Sequence, residues 1–408
     1  MLLVQEYLET HTFAELAAEY GVYASFSKSG HKFSLNYDQL ESKESDILSQ
    51  QCRGCILTCN DGRSLLPEAN LTLTGRTQFD HICPGKTSVM CCGMFRFFNY
   101  GQGAAANINF NDPNIAIMEK MDGTLCLLHY DNVVNEWYVA TRSCPEADIE
   151  IDSGFYTFRT LFEKALFETI GLCFDGFTSK LNKNITYCFE LTSPFNTIVV
   201  KYPNARLTFL AARNILTMQE LNPADVYVCG VPVVRVYMFT CVSDIVEWVS
   251  SRNPLEHEGV VVKDSNYNRV KIKNASYVAF SRARDVLGSS ERNCLELILQ
   301  GKEDDVIPAL PQEIVDRILN IKNNLLKMIN KYDEVYMEIK NKAELMNAGD
   351  RKTFALLVKE RSDLWGAPFF MIYSNKATDM KDYLIGTKKS GTWADNFLDQ
   401  VLKISKIV

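Results

Sequence analysis

The sequence predicts an α+β protein in two parts, an antiparallel-sheet body followed by a mostly helical C-terminal domain. Three observations lead there. A length of 408 residues favours two to three domains over one. Between about residues 23 and 280, short β-rich runs alternate with Gly, Asn, Asp and Pro, and too few helices separate them to act as parallel crossovers. After Asp285 the texture turns to apolar residues spaced three and four apart. The expected domains are residues 1–285, with a helix at the N-terminus, and residues 286–408.

Each element follows from its pattern. Leu3, Tyr7, Leu8, Phe13, Leu16 and Tyr20 recur at helical spacing, and Gly21 stops them. Strands are expected at CILTC (55–59), IAIMEK (115–120), TLCLLHY (124–130), ITYCFELT (185–192), LTFLAA (207–212), VVRVYMF (233–239) and GVVVK (259–263). One clear helix interrupts them near 155–170, with Gly171 as its C-terminal cap. Ser289 or Ser290 caps a short helix ending at Gly301. A longer helix follows Pro311 and buries Ile314, Ile318, Ile321, Leu325, Ile329, Tyr332, Tyr336 and Ile339. Residues 353–365 and 394–404 also read as helical.

Composition excludes several classes. Hydrophobic residues at 47% and charged residues at 23% are ordinary for a globular chain. No apolar run approaches the roughly 18 residues of a membrane-spanning helix. The opening MLLVQEYLETHTF carries acids where a secretory signal would be basic. The 13 cysteines lack disulfide-scaffold spacing, so reduced thiols in a cytoplasmic protein are expected. Cys52, Cys55 and Cys59, with Cys91 and Cys92 beyond, raise a zinc site, but no histidine or second Cys-x-x-Cys completes one. A net charge of −7 argues against a protein that coats nucleic acid. Against that background, Lys263, Arg269, Lys271, Lys273, Arg282 and Arg284 form a local cationic strip. It reads as a grip on one polyanion or as a solvated strand and loop.

Chemistry gathers around Glu119-Lys120-Met121-Asp122-Gly123-Thr124. A lysine amine is a poor nucleophile until burial or neighbouring cations favour its neutral form. Alone, Lys-x-Asp-Gly is also what a surface turn looks like. Its companions are Arg53-Gly54 ahead of a strand, Arg96 and Phe98 two apart, and Glu190 alone in an apolar strand. Glu258 stands before Gly259, and Lys271 and Lys273 share one strand face. Read singly, Glu190 is a paired structural acid, Phe98 is core and Lys263 is a solvated strand end.

In that order the motifs resemble the covalent nucleotidyltransferase superfamily of ATP-dependent ligases and capping enzymes. Within it they are similar to the bacteriophage RNA ligase 1 family, which repairs broken tRNA. Lys120 to Gly123 looks like the nucleotidyl-lysine motif and Arg53-Gly54 like the Arg-Gly strand. Arg96-Phe97-Phe98-Asn99 resembles a Lys-Phe-Phe-Asn segment with arginine for lysine. Phe189-Glu190 and Pro194-Phe195-Asn196-Thr197-Ile198-Val199 resemble the third motif, and Glu258-Gly259 the fourth. The fifth is matched by Lys271-Ile272-Lys273 with Tyr277. A Ser-Lys-Gly segment aligns with Thr141-Arg142-Ser143, which keeps the charge but not the point-donor geometry or the glycine. Helices stand where DNA ligases and capping enzymes carry an oligonucleotide-binding barrel. Asp350-Arg351-Lys352-Thr353-Phe354 resembles a segment of the phage ligase's helical C-terminal domain.

The resemblance implies a nucleotidyltransferase (ATP-grasp-like ligase) domain and an ATP-dependent RNA ligase. Lys120 would attack the α-phosphate of ATP, pass AMP to an RNA 5′-phosphate, and a 3′-hydroxyl would then seal the strand. Lys271 and Lys273 would hold the α-phosphate, Glu190 the ribose hydroxyl, and Arg53 the ribose or phosphates. Arg96, Arg142 and Tyr277 would reach the outer phosphates, beside Phe98. Glu119 and Gly123 would line the nucleotide site, and Asp122 would orient the lysine or serve a later step. Glu258 would ligate Mg²⁺, with Mn²⁺ as a substitute. The implied partners are RNA ends, nicked tRNA among them, and an end-healing kinase–phosphatase. Two other readings stay open, a GTP-dependent capping-type guanylyltransferase and a non-catalytic RNA-binding protein on the same scaffold.

Overall fold

A computed structural model describes residues 1–38, 41–65, 81–151, 154–301, 303, 307, 310, 312–347, 350–361, 364–387 and 393–406. It divides into two compact units, Met1–Val278 and Ala279–Val408.

The first unit opens with α1 (Leu3–Leu8) and α2 (Phe13–Tyr20). Thr12 starts the second helix by accepting from the Glu15 amide while the Glu15 carboxylate accepts from the Thr12 amide. Gly21 ends it in the left-handed conformation at φ 60°. Next come β1 (Val22–Phe26), β2 (Lys32–Tyr37), α3 (Ile47–Gln51), β3 (Arg53–Cys59) and β4 (Thr87–Cys91). The four strands form an antiparallel sheet in the order β1-β2-β3-β4, whose outer face packs on α1 and α2 through Leu8, Leu16, Phe33 and Leu57.

Two five-stranded sheets complete this unit. Their elements are β5 (Phe98–Asn99), β6 (Ala116–Glu119), β7 (Thr124–Asp131), β8 (Glu136–Ala140), α4 (Phe158–Ile170), α5 (Phe174–Thr178), β9 (Ile185–Thr192) and β10 (Arg206–Asn214). There follow β11 (Glu220–Leu221), β12 (Val236–Tyr237), α6 (Val242–Ser251), β13 (Gly259–Lys263) and β14 (Arg269–Lys273). One sheet runs β11-β10-β9-β7-β8, the other β12-β6-β13-β14-β5. All pairings are antiparallel except β5 with β14. The first buries Phe189, Leu191 and Phe209 against Leu161 and Phe162 of α4. The second buries Val260, Val262, Val270 and Ile272 against Ile245 and Val249 of α6. Their inner faces meet where Met118 and Val261 pack with Leu210. α7 (Ala275–Ser289) follows.

The second unit packs α8 (Glu291–Leu299), α9 (Gln312–Asn347), α10 (Arg351–Glu360), α11 (Ala367–Tyr373), α12 (Met380–Gly386) and α13 (Asp395–Ser405) around one core. Ser290 caps α8 by accepting from the Arg292 amide, as its position in the sequence predicts. The expected face of α9 is buried at Ile314, Ile318, Ile321, Leu325, Tyr332 and Ile339, with Ile329 and Tyr336 packed against it. Pro311 lies outside the described residues.

Several expectations change. The run 233–239 yields only the two-residue edge strand β12, because Val233 is drawn into an isolated parallel bridge with Phe209 of β10 and Val236 and Met238 face outward. Short helices α3, α5 and α6 join α4 inside the sheet region, α5 and α3 being single turns too short for periodicity to reveal. The helix expected over 353–365 ends at Glu360. The division of the chain falls inside α7, which no turn residue marks. Among the described residues no helix is long and apolar enough to cross a membrane.

Candidate active site

Strand alternation builds the site. Met118 of β6 packs on the inner face while Ile117 joins the outer core. The next inward position is Lys120, whose amide donates to the Gly259 carbonyl at 2.9 Å. On β14, Val270 and Ile272 enter the outer core, so Lys271 and Lys273 turn inward. Glu190 on β9 faces inward for the same reason, since Tyr187, Phe189 and Leu191 fill the opposite core.

Arg53 needs a different device. On β2 the adjacent residues Leu35 and Asn36 pair with Cys55 and Arg53, so Gly54 is the extra residue of a β-bulge, at φ 74°. The bulge turns Arg53 away from the face that carries Cys55, towards the pocket. A Cβ on Gly54 would lie 3.2 Å from the Arg142 backbone, so the glycine also lets Arg142 close in.

These side chains line one pocket: Arg53, Glu119, Lys120, Arg142, Glu190, Lys271 and Lys273. Against its wall Glu258 is buried at 3% exposure, and its Oε1 accepts from Lys120 Nζ and Lys273 Nζ, each at 2.8 Å. Burial pushes Lys271 down to about 8, helped by the charges of Lys273, Lys120 and Arg53. Burial pushes Glu190 up to about 7, against the pull of Lys120. Arg53 Nη1 is buried without a hydrogen-bond partner. A cation-rich pocket with an unmet donor is built for an anionic ligand.

Other expected residues stand elsewhere. Asp122 is 2% exposed and fully engaged. Its Oδ2 accepts from the Val199 and Val200 amides at 2.9 and 2.7 Å, and its Oδ1 from the Tyr277 hydroxyl at 2.6 Å. Asp122 therefore pins the lysine turn to the Val199-Val200 segment and to α7, and it does not line the pocket. Tyr277 is spent on that bond, and burial among carboxylates raises its pKa far above normal. Gly123 is required by packing, since a Cβ there would sit 2.4 Å from the Leu191 carbonyl oxygen. Arg96 and Phe98 border a second cavity instead. Arg96 stacks 4.1 Å over Tyr37 and 5.0 Å over Phe98.

Sequence reasoning missed the walls. Tyr37 and Phe97 flank the cations, and Met118, Met121, Leu125, Leu210, Val234 and Val261 make an apolar lining. Leu210 gets there because the ladder skips it between Phe209 and Ala211. Phe97 was visible inside the Arg96–Asn99 segment, whereas nothing local marks Tyr37. Arg269 also lines the pocket, already paired with Glu220.

Among the described residues no three His, Cys, Asp or Glu side chains gather to cage a metal, so the cysteine run forms no zinc centre there. One carboxylate with phosphate oxygens and water is the usual setting of Mg²⁺, and Glu258 at the cationic pocket fits a cation that arrives with a nucleotide.

With this geometry in hand, the sequence profile of an RNA ligase family, the phage T4 ligase 1 type, matches residues 37–277. The chain belongs to that RNA ligase family. A viral relative named as a bifunctional polynucleotide kinase/RNA ligase, from Autographa californica nuclear polyhedrosis virus, is 26% identical over 290 residues, 68% of this chain and 37% of its own. An immediate-early protein ICP-46 homolog of Invertebrate iridescent virus 3 is 24% identical over 47% of this chain and 42% of its own. The chain thus spans less than half of either relative. Among solved structures, an archaeal ATP-dependent RNA ligase overlaps at TM-score 0.42 and 15% identity, covering 88% of this chain and 81% of that one. A Naegleria gruberi RNA ligase mutant with ATP and Mn reaches TM-score 0.30 at 12% identity, over 41% and 51%. Both overlaps are partial. The resemblance expected from the sequence is borne out by the family match.

Proposed function

We propose that the chain is an ATP-dependent RNA ligase acting through a lysyl-AMP at Lys120. The observation that carries this is the convergence of Lys120, Lys271, Lys273, Glu190 and Arg53 on one pocket in a chain of the RNA ligase family. The lone pair of the Lys120 amine attacks the α-phosphorus of ATP, a P–N bond forms as the nitrogen gives up a proton, and the bond to the pyrophosphate oxygen breaks, pyrophosphate leaving with the electron pair. A 5′-phosphate oxygen of RNA then displaces the lysine, giving an RNA adenylate, and a 3′-hydroxyl displaces AMP. Each step is in-line substitution at phosphorus, so positioning and charge neutralisation dominate.

Lys271 and Lys273 face the reacting phosphate, Arg53 supplies its unmet donor, and Glu190 accepts from the ribose. The apolar lining takes the base. Asp122 and Tyr277 are positioning residues. Glu258 would hold Mg²⁺ or Mn²⁺, which supplies charge neutralisation on the phosphates. In the resting pocket the same carboxylate keeps Lys120 and Lys273 aligned.

The C-terminal unit is proposed to read the RNA, nicked tRNA included. Asp350 and Phe354 of its motif are spent on the fold, one capping α10 and the other buried, which leaves Arg351 and Lys352 exposed for phosphates. The viral relative's name joins a kinase to a ligase, which supports an end-healing partner, and the cytoplasm is the proposed compartment. The test is joining of a 5′-phosphorylated RNA, followed as circular or lengthened product. It should require ATP and a divalent cation, and a chain inactive on RNA with both present would overturn the proposal.

A further inference from the structure

Residues 193–200 are fastened to the lysine turn at two points. Asn196 Nδ2 donates to Thr124 Oγ1, next to Gly123, at 3.0 Å and to the Leu191 carbonyl at 2.8 Å. The Val199 and Val200 amides bind Asp122. Between these anchors the Phe195 amide donates to Ser193 Oγ at 3.1 Å, which fixes the loop while the ring stays at the surface, 37% exposed. Its centroid lies 4.9 Å from that of Tyr156, with the planes 51° apart, and Phe155 beside Tyr156 is 85% exposed. None of these three rings lines the nucleotide pocket. We infer that this aromatic surface stacks bases of single-stranded RNA next to the end being joined. The inference rests on the ligase reading and names a substrate contact for it.

Exposure and charge select the occupant. Neighbouring rings left at the surface mark a contact face, and cations stand around this one. Arg206 opens β10 opposite Thr192, at the root of the Phe195 loop, and is exposed. Glu168, the acid that feels its charge, is already committed, through Oε1 to Lys164 at 2.8 Å and through Oε2 to the Ala205 amide at 3.0 Å. Lys201 follows the two amides bound by Asp122 and is exposed as well. Among the described residues no carboxylate forms an ion pair with Arg206 or Lys201. Rings flanked by uncommitted cations suit unpaired bases on a phosphate backbone, the bases stacking and the phosphates meeting the charges. A purely apolar partner would leave both cations unanswered.

Position points the same way. Both RNA ends have to come to Lys120, the 5′-phosphate to take AMP and the 3′-hydroxyl to displace it. The loop that carries Phe195 is bonded to the turn that carries Lys120, so a strand stacked there lies on the approach to the reacting phosphorus.

The test changes the ring without touching the anchors. Phe195→Leu keeps apolar bulk and removes the stacking face, Phe195→Trp enlarges the face, and Arg206→Gln removes one charge. For each full-length variant, three quantities are read: the adenylylation rate with ATP, and the KM values for a pre-adenylylated donor RNA and for a 3′-hydroxyl acceptor RNA in ATP-free sealing of single strands. Phe195→Leu should keep adenylylation within about twofold of wild type and raise one RNA KM about tenfold, the order of one lost base stack. Phe195→Trp should hold that KM at or below the wild-type value. Arg206→Gln should raise the same KM and flatten its dependence on salt. The strand affected identifies whether donor or acceptor crosses the surface. Lost adenylylation in Phe195→Leu would make the ring a support of the lysine turn and overturn the inference. Unchanged KM values in Phe195→Leu and Arg206→Gln, or a KM raised equally by leucine and tryptophan, would overturn it as well. Failure of the wild-type chain to take AMP or seal RNA would instead remove the ligase reading, and this inference with it.

Discussion

Glu190 and Lys271 are each held away from their ordinary ionisation, and the pocket bears that cost for a use. Glu190 titrates near 7 rather than near 4.5 because burial disfavours its charge. The folded protein thus keeps a proton that the unfolded chain releases, so this group's contribution is complete below about pH 4.5 and is lost as pH rises through 7. Glu190→Gln should abolish that loss. Between pH 5 and 8, urea unfolding should show the wild type losing about 2 kcal/mol more than the variant, and equal pH dependence would refute the assignment. Lys271 runs the other way, keeping its charge only below about pH 8. Of these residues, Glu190 was legible because an acid in an apolar strand has a forced direction. For Asp122 an orienting role was expected from the motif, but its partners were not legible, since they lie 77, 78 and 155 residues away in sequence.

Strand geometry, more than any loop, holds the site together. A Cβ on Gly259 would lie 2.2 Å from the Ile272 carbonyl oxygen, and the residue sits at φ 150°. Glycine therefore lets β13 start tight against β14, which sets Glu258 within reach of Lys273 and Lys120. Gly259→Ala should force these strands apart at that point. Adenylylation should fall at least a hundredfold while the far-ultraviolet circular dichroism stays unchanged, and full activity would show that the close approach is unnecessary. Periodicity made most of these strands legible, including the inward pair Lys271 and Lys273. Register faults escaped it: the bulges at Gly54 and Leu210 exist only in the pairing of two strands. The edge strand β12 was overread for the same reason, because β-propensity cannot tell whether a partner is present.

At the scale of the whole molecule, two units divide the labour we propose, chemistry in Met1–Val278 and RNA reading in Ala279–Val408. Arg351→Glu with Lys352→Glu should leave adenylylation unchanged and raise the KM for nicked tRNA tenfold or more, with a weaker dependence on salt. An unchanged KM would assign RNA recognition elsewhere. The helical texture after Asp285 was legible as periodicity, yet the break inside α7 was not, because a continuous helix leaves no mark in composition.

The central claim is a covalent adenylate on Lys120. Intact mass of the purified chain, first stripped of carried-over AMP, should rise by one AMP with Mg²⁺ and ATP. It should not rise with GTP, nor in Lys120→Ala. A GMP adduct, an adduct persisting in Lys120→Ala, or none with either nucleotide would contradict the account.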